Sequence, residues 1–283
     1  MNERPILAGV VGWPIEHSLS PLIHTIWAAR AKIDGYYIPI AVPPDYDDFA
    51  RAMDSLRTVG FAGVNVTLPH KENALRYAVT KNDAAKKAGA ANMLTFTKDG
   101  AVAENSDISG FENALKTALD FDDRNKKTAL VLGAGGASRG IALALRNLGF
   151  SDITITNRTR EKAENIAELF ALSVSDWGRR NEAAAAASVV VNTTSLGMTG
   201  QPPLELDIAE LRSGAIVADI VYTPLETGLL KQAAARGLKT VDGLAMLMHQ
   251  AAPGFNAWFS GGAQVDEALR AELVTELKRR GQR

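Results

Sequence analysis

The chain predicts an α/β protein of two domains, one an α/β unit and the other a doubly wound parallel sheet. Three observations carry this. Its 283 residues exceed the size at which a single core usually stops growing. From Thr128 onward, apolar strands and amphipathic helices alternate regularly, which implies parallel strands with helical crossovers. A glycine turn, Gly133-Ala134-Gly135-Gly136-Ala137, follows a buried strand and leads into a helix, the order of a Rossmann-like dinucleotide domain.

The first half contains short apolar strands at Ile6–Val11, Tyr36–Val42, Gly63–Leu68 and Asn92–Phe96. A helix over Pro21–Ala31 has Ser20 as its expected N-cap, proline at the first helical position, and Gly35 after its end. Asp45–Val59 places Phe49, Met53 and Leu56 at helical spacing. In the second half, strands are expected at Thr128–Leu132, Asp152–Thr156, Val189–Asn192 and Ala215–Ile220, with helices at Ser138–Leu148 and Arg160–Phe170. The alanine run Ala183–Ala187 is a helix-prone lead into Val189. From Gly243 the pattern is helical again, with Leu244, Leu247 and Met248 on one face.

Composition narrows the function classes. A net charge of -1 and no basic block argue against nucleic acid, and no apolar run is long enough for a membrane span. Zero cysteines removes disulfides, thiolate metal sites and a cysteine nucleophile together. The four histidines are scattered, so a cytoplasmic protein with no metal is expected. His17 and His24 read as structural.

Lys71 is the most telling residue. Strand Val64–Leu68 runs into Pro69, which suits a first helical position, so Lys71 falls in the first helical turn. The positive end of a helix costs a lysine roughly 0.3–1 kcal/mol and disfavours its charged form, which suits a group that passes a proton near neutral pH. The alternative is a long side chain that bends away into water. Asp107 could hold such an ammonium in place, or could be the N-cap of the helix near Phe111–Leu119.

Ser18 and Ser20, beside a helix start, offer neutral donors to a carboxylate; Ser20 as a plain N-cap is the competing account. Asn92 and Gln250 each bring an amide into apolar surroundings, suited to a polyol or to a satisfied core amide. On the other side, the glycines of Gly133–Ala137 allow backbone amides to approach a pyrophosphate, although Ser138 replaces the third glycine of the usual fingerprint. The second strand ends in Asn157-Arg158-Thr159 rather than an acid. A carboxylate there would repel a 2′-phosphate, whereas Arg158 can pair with it and Asn157 and Thr159 can donate to it, so NADP is the expected cofactor.

Taken in order, these segments resemble the shikimate dehydrogenase family. The likeness spans Gly9 to Phe259 and rests on Gly12–Pro21, Asn65–Lys71, Gly89–Asn92, Asn105–Asp107, Gly133–Ala137, Asn157–Thr159, Asn192–Met198, Asp219–Pro224 and Asp242–Gln250. The resemblance implies that Ser18 and Ser20 hold a substrate carboxylate, while Thr67, Asn92, Asp107 and Gln250 bind ring hydroxyls and Tyr222 closes the site. It implies Lys71 as acid–base group with Asp107 as its partner. Gly133, Ala134, Gly135, Gly136, Ala137, Asn157, Arg158, Thr159 and Gly243 would meet NADP. It also implies a substrate domain of residues 1–106 plus 243–283, separated by a cleft from an NADP domain of 107–242. The partner would be a small molecule, the assembly a monomer or homodimer, and the reaction the reversible reduction of 3-dehydroshikimate. Thr25, Ser106 and Ile108 depart from the family pattern around these motifs. A broader quinate/shikimate dehydrogenase, or a catalytically silent NADP-binding regulator, are the alternatives.

Overall fold

A computed structural model describes residues 4–119 and 128–281. The chain divides into two compact units, Met1–Ser106 with Met248–Arg283, and Asp107–Leu247.

In the first unit the order is β1 (Ile6–Gly12), α1 (Ser20–Ala31), β2 (Gly35–Ala41), α2 (Tyr46–Thr58), β3 (Phe61–Val66), α3 (Lys71–Tyr77), β4 (Thr80–Lys81), α4 (Asp83–Ala88), β5 (Met93–Thr97) and β6 (Gly100–Glu104). The sheet order is β2-β1-β3-β5-β6-β4. Strand β1 is parallel to β2 and β3, whereas β5 runs antiparallel to β3 and to β6. The sheet is therefore mixed. On α2 the heptad-like spacing works as read: Phe49 and Met53 are fully buried in a cluster with Val11, Val64, Val66 and Leu94, and Leu56 packs at its margin. Asp45 caps that helix, accepting from the backbone N–H of Asp47 and of Asp48.

Helix α5 (Ser106–Lys116) carries the chain into the second unit. There follow β7 (Thr128–Leu132), α6 (Gly136–Asn147), β8 (Asp152–Asn157), α7 (Arg160–Phe170), β9 (Ser173–Asp176), α8 (Arg180–Ala186), β10 (Val189–Asn192), β11 (Ile216–Asp219), α9 (Gly228–Ala235) and β12 (Lys239–Val241). Every pairing is parallel, in the order β12-β11-β10-β7-β8-β9. Strand order reverses between β7 and β10, the topological switch point at which such sheets bind dinucleotides. The buried residues of both central strands are apolar except Asn192 at the end of β10, as burial on two faces favours.

Helix α10 (Gly243–Phe259) returns the chain to the first unit, passing between Leu247 and Met248, a turn beyond Gly243, because the helix continues unbroken there. Its far end lies on the first sheet. A Cβ added to Gly63 would stand 2.2 Å from Trp258 Nε1, and that indole donates to Thr95 Oγ1 at 3.0 Å. The last helix, α11 (Glu267–Gly281), is tied to α1 through Arg30, which pairs with Asp266 and Glu272.

Two helix starts differ from expectation. Helix α1 begins at Ser20 with Leu19 as N-cap, so Pro21 is its second residue. The reason is Ser18, whose Oγ accepts the Ser20 N–H at 3.2 Å and does the local capping instead. Pro69 lies outside α3, in a turn closed by His70 N donating to Thr67 O at 2.9 Å, and Lys71 is the first helical residue.

Within the first unit, His24 is 1% exposed, and both of its ring nitrogens lack a hydrogen-bond partner. It stacks on Tyr37 with centroids 3.7 Å apart and is enclosed by Trp27, Phe255, Trp258 and Phe259. Burial pushes its pKa from 6.5 to about 3. The unfolded chain thus takes up a proton near pH 6.5 that the folded chain refuses until about pH 3. Stability from this group is complete above pH 6.5 and is lost as pH falls through that window. At pH 4 the loss is about 3 kcal/mol. Urea unfolding of His24→Phe at pH 7 and pH 4 should therefore show a smaller acid destabilisation than the parent by about that amount. Equal declines would show that His24 is not the acid-sensitive group.

Candidate functional site

The first unit gathers its polar side chains at the carboxyl ends of β1 and β3. Thr67 follows β3 and is held by its N–H donating to Val11 O at 2.8 Å. A Cβ on Gly12 would meet Thr67 Cγ2 at 2.5 Å, so only glycine lets the two loops approach this closely. The half-buried Lys71 heads α3, and its carbonyl accepts from Ala91 N at 2.9 Å, which sets it beside the segment carrying Asn92.

Asn92 is buried and bonded on both faces of its amide. Its Oδ1 accepts from Ser106 N at 2.7 Å, and its Nδ2 donates to Ser106 Oγ at 3.0 Å and to Gln250 Oε1 at 3.3 Å. Ser106 Oγ in turn donates to Gln250 O at 2.8 Å. Asn92 and Gln250 are thus brought together from the residue just before β5 and from α10 around the start of α5. Asp107 is not the N-cap of α5 but its second residue, one step beyond Ser106. Asn65, which the motif reading did not single out, joins the same network: its Nδ2 donates to Asn92 O at 3.3 Å. Ser106 was noted only as a departure from the family pattern. Neither spacing nor composition flags such residues, because a buried amide and a surface amide look alike in a sequence.

Ser20 is buried, whereas Ser18 is half-buried with its hydroxyl engaged in capping. The loop carrying them is fastened from the far end of the chain, where Arg280 donates to His17 O at 2.8 Å.

The second unit builds its glycine loop at the switch point. The N–H groups of Gly133, Ala134 and Gly135 are committed internally, to Thr156 O at 2.8 Å, Asn157 Oδ1 at 3.2 Å and Ser138 Oγ at 3.0 Å. Among the described residues the N–H groups of Gly136 and Ala137, the first two of α6, have no such bond. They are the donors left for an incoming diphosphate at the positive end of the helix. A Cβ added at Gly135 or Gly136 would meet nothing within 4 Å, so a phosphate has room there. Ser138, in the place of the third glycine, is a brace: besides taking the Gly135 N–H, it pairs with Thr193 Oγ1 at 2.8 Å, which itself donates to Leu132 O at 2.8 Å.

Asn157 holds this loop rather than waiting for a ligand, since its Nδ2 donates to Thr159 O at 2.9 Å while its Oδ1 serves Ala134. Arg158 and Thr159 stay exposed at the end of β8 with no acid in the Asn157–Thr159 segment. These features fit a dinucleotide bearing a 2′-phosphate.

Asp219, at the end of β11, is 2% exposed and was not assigned a role from sequence. It accepts from Asn192 Nδ2 at 3.0 Å, Val221 N at 3.0 Å and Thr227 Oγ1 at 2.8 Å. Burial pushes its carboxyl up to about 6 against those bonds. The bonds shape the turn that presents Tyr222. Gly243 braces the same turn from α10: a Cβ there would strike Ile220 O at 2.3 Å, which makes its first task close packing. Among the described residues no group of three or more His, Cys, Asp or Glu could hold a metal ion, and no helix is long and apolar enough to cross a membrane.

A parallel sheet with this strand order and a braced glycine loop at its switch point defines a Rossmann-type dinucleotide-binding protein, here joined to a mixed α/β unit rich in buried polar groups. Residues 10–94 match the shikimate dehydrogenase substrate-binding domain, and residues 116–198 match the shikimate/quinate 5-dehydrogenase domain. The chain is 49% identical to an NADP(+) shikimate dehydrogenase of Acidiphilium cryptum, over 96% of each protein. It is 32% identical to shikimate 5-dehydrogenase of Thermus thermophilus, solved with NADP(H) and shikimate, at a TM-score of 0.84 over 96% of this chain and 99% of that one. A quinate dehydrogenase of Corynebacterium glutamicum, solved with NAD, superposes with a TM-score of 0.87 at 26% identity, covering 96% and 99%. The chain belongs to the shikimate dehydrogenase family.

Ser138→Ala should leave the Gly135 N–H without its acceptor and loosen the glycine loop. A stability loss of about 1–2 kcal/mol is expected in chemical denaturation, with faster amide exchange at Gly135. Unchanged exchange there would mean that the hydroxyl does not brace the loop.

Proposed function

We propose that the protein catalyses the reversible, NADPH-dependent reduction of 3-dehydroshikimate to shikimate. The observation that carries this is the match to NADP(+) shikimate dehydrogenases along nearly the whole chain, 49% identical over 96% of both proteins in one case. The first unit is the substrate domain and the second the NADP domain. Location in the cytoplasm and a monomeric or homodimeric state belong to the same reading.

The dinucleotide, when bound, supplies or receives the hydride at the ring carbon. Hydride arrival at a ketone needs a proton on its oxygen, and Lys71 Nζ is the group that gives it. Asp107 is the carboxylate partner that keeps the amine in place. Ser18 and Ser20 take the substrate carboxylate, and Thr67, Asn92 and Gln250 meet the ring hydroxyls, with Tyr222 closing over them. The hydrogen bonds already joining Asn92, Ser106 and Gln250 support this assignment, because amides locked beforehand lose little freedom when a ligand arrives. Gly136 and Ala137 hold the diphosphate on loop geometry set by Gly133, Ala134 and Gly135. Arg158, flanked by Asn157 and Thr159, reads the 2′-phosphate, and Gly243 shapes the turn nearby.

Purified protein with shikimate or quinate and NADP or NAD, followed by absorbance of the reduced cofactor, tests the whole reading. Turnover fastest with shikimate and NADP is expected; a preference for quinate with NAD would replace it. Lys71→Ala should lower kcat by about 10²–10⁴ with a smaller change in KM, and a near-normal kcat would remove Lys71 from the chemistry. Arg158→Ala should raise KM for NADP far more than for NAD. An equal rise for both would show that the arginine does not distinguish them.

A further inference from the structure

Asp176 ends β9 and is the register partner of Asn157 at the end of β8. Neighbouring strands lie about 4.8 Å apart, and partners in register turn their side chains to the same face of the sheet. An acid therefore stands one strand away from the Asn157-Arg158-Thr159 segment proposed to read the 2′-phosphate. In NAD-binding sheets a carboxylate at the end of the second strand meets the ribose hydroxyls. Here the second strand carries no such acid, but its neighbour does, and only the sheet register brings it there.

Asp176 is not left bare. Arg160, the first residue of α7, donates through Nη1 to Asp176 Oδ1 and through Nε to Glu164 Oε1 at 2.7 Å. Its guanidinium is thus engaged on two carboxylates, and all three side chains are exposed. Arg179, three residues beyond Asp176, donates instead to Glu182 Oε2 through Nε and Nη2 at 3.0 and 2.7 Å. An exposed ion pair contributes little to stability, so Arg160 and Asp176 are poorly explained as a staple.

We propose that Arg160 is a specificity-determining, positioning residue: by holding and neutralising Asp176 it keeps that carboxylate from repelling a 2′-phosphate at Arg158. The phosphate monoester carries about -1.5 to -2 charges at neutral pH, so a bare acid beside it opposes binding. NAD has a neutral hydroxyl at the same place and meets no such repulsion. Arg158 pairs with the phosphate directly, whereas Arg160 acts through Asp176. This inference rests on the reading of Arg158 as the group that recognises the 2′-phosphate.

The test is a double-mutant cycle on Arg160→Ala and Asp176→Asn, with KM for NADP and for NAD measured in the shikimate oxidation assay. Arg160→Ala should raise KM for NADP by about 3–10-fold and leave kcat and KM for NAD near the parental values. Asp176→Asn alone should change neither, because its charge is already neutralised. In the Asp176→Asn background the effect of Arg160→Ala should vanish. The rise should also shrink at 1 M salt, where exposed charges are screened within about 3 Å. A rise that survives without the Asp176 charge would put Arg160 on the phosphate itself and overturn the proposal. No rise in Arg160→Ala, an equal rise for NAD, or a rise indifferent to salt overturns it as well. If Arg158→Ala separates NADP from NAD and Arg160→Ala does not, this inference alone fails. If Arg158→Ala raises both alike, the reading of Arg158 beneath it fails.

Discussion

A buried chain of polar side chains organises the first unit. It runs from Tyr37 to Asn65, from Asn65 to Asn92, and from Asn92 to Ser106 and Gln250. It joins β2, β3, the residue leading into β5, the start of α5 and the middle of α10, five separate segments of the chain. Such a chain is costly if any member lacks a partner, since a buried unpaired donor or acceptor loses on the order of 1–3 kcal/mol. Satisfied throughout, it fixes the side chains in one arrangement. Two of the proposed ring-hydroxyl groups, Asn92 and Gln250, belong to this same network, so on that proposal part of the framework that holds the unit together is also what a substrate would touch.

The second unit solves a related problem with backbone. Its glycine loop needs open space for a phosphate, and open glycines are conformationally costly to hold in place. Side chains from three neighbouring segments provide the restraint: Asn157 on Ala134, Ser138 on Gly135, and Thr193 on the carbonyl of Leu132. Asp219 plays the same part for the turn bearing Tyr222. The loop is stiff where it joins the sheet and open where α6 begins, which suits pre-organised anion binding.

Much of this architecture was legible before any coordinates. Strands β7, β10 and β11 are central and buried on both faces, so their sequences are nearly continuous apolar runs, β8 alternates isoleucine with polar residues, and the glycine turn marks where β7 ends. Among the strands that went unread, β4 has Thr80 and Lys81 alone, β6 is the small-residue stretch Gly100–Glu104, β9 reads Ser-Val-Ser-Asp, and β12 is only Lys239–Val241. Edge strands and alanine-rich strands carry little period-two signal, because one side of each has nothing apolar to bury. The mixed direction of the first sheet was likewise invisible, since periodicity says that a strand exists but not which way its neighbour runs.

For the site, sequence determined the chemical inventory: a lysine after a strand, amides in apolar settings, a glycine loop, an arginine where an acid usually stands. Those are local facts, set by residue type and short spacing. Only the tertiary structure decided what each side chain is occupied with. Ser18 rather than Ser20 does the capping at α1, Asn157 is spent on the glycine loop, and Ser138 becomes a brace rather than a flaw in the fingerprint. The reason is physical: a hydrogen-bonding group has few donors and acceptors, and which partner claims them depends on neighbours brought near by folding, over separations that no local pattern records.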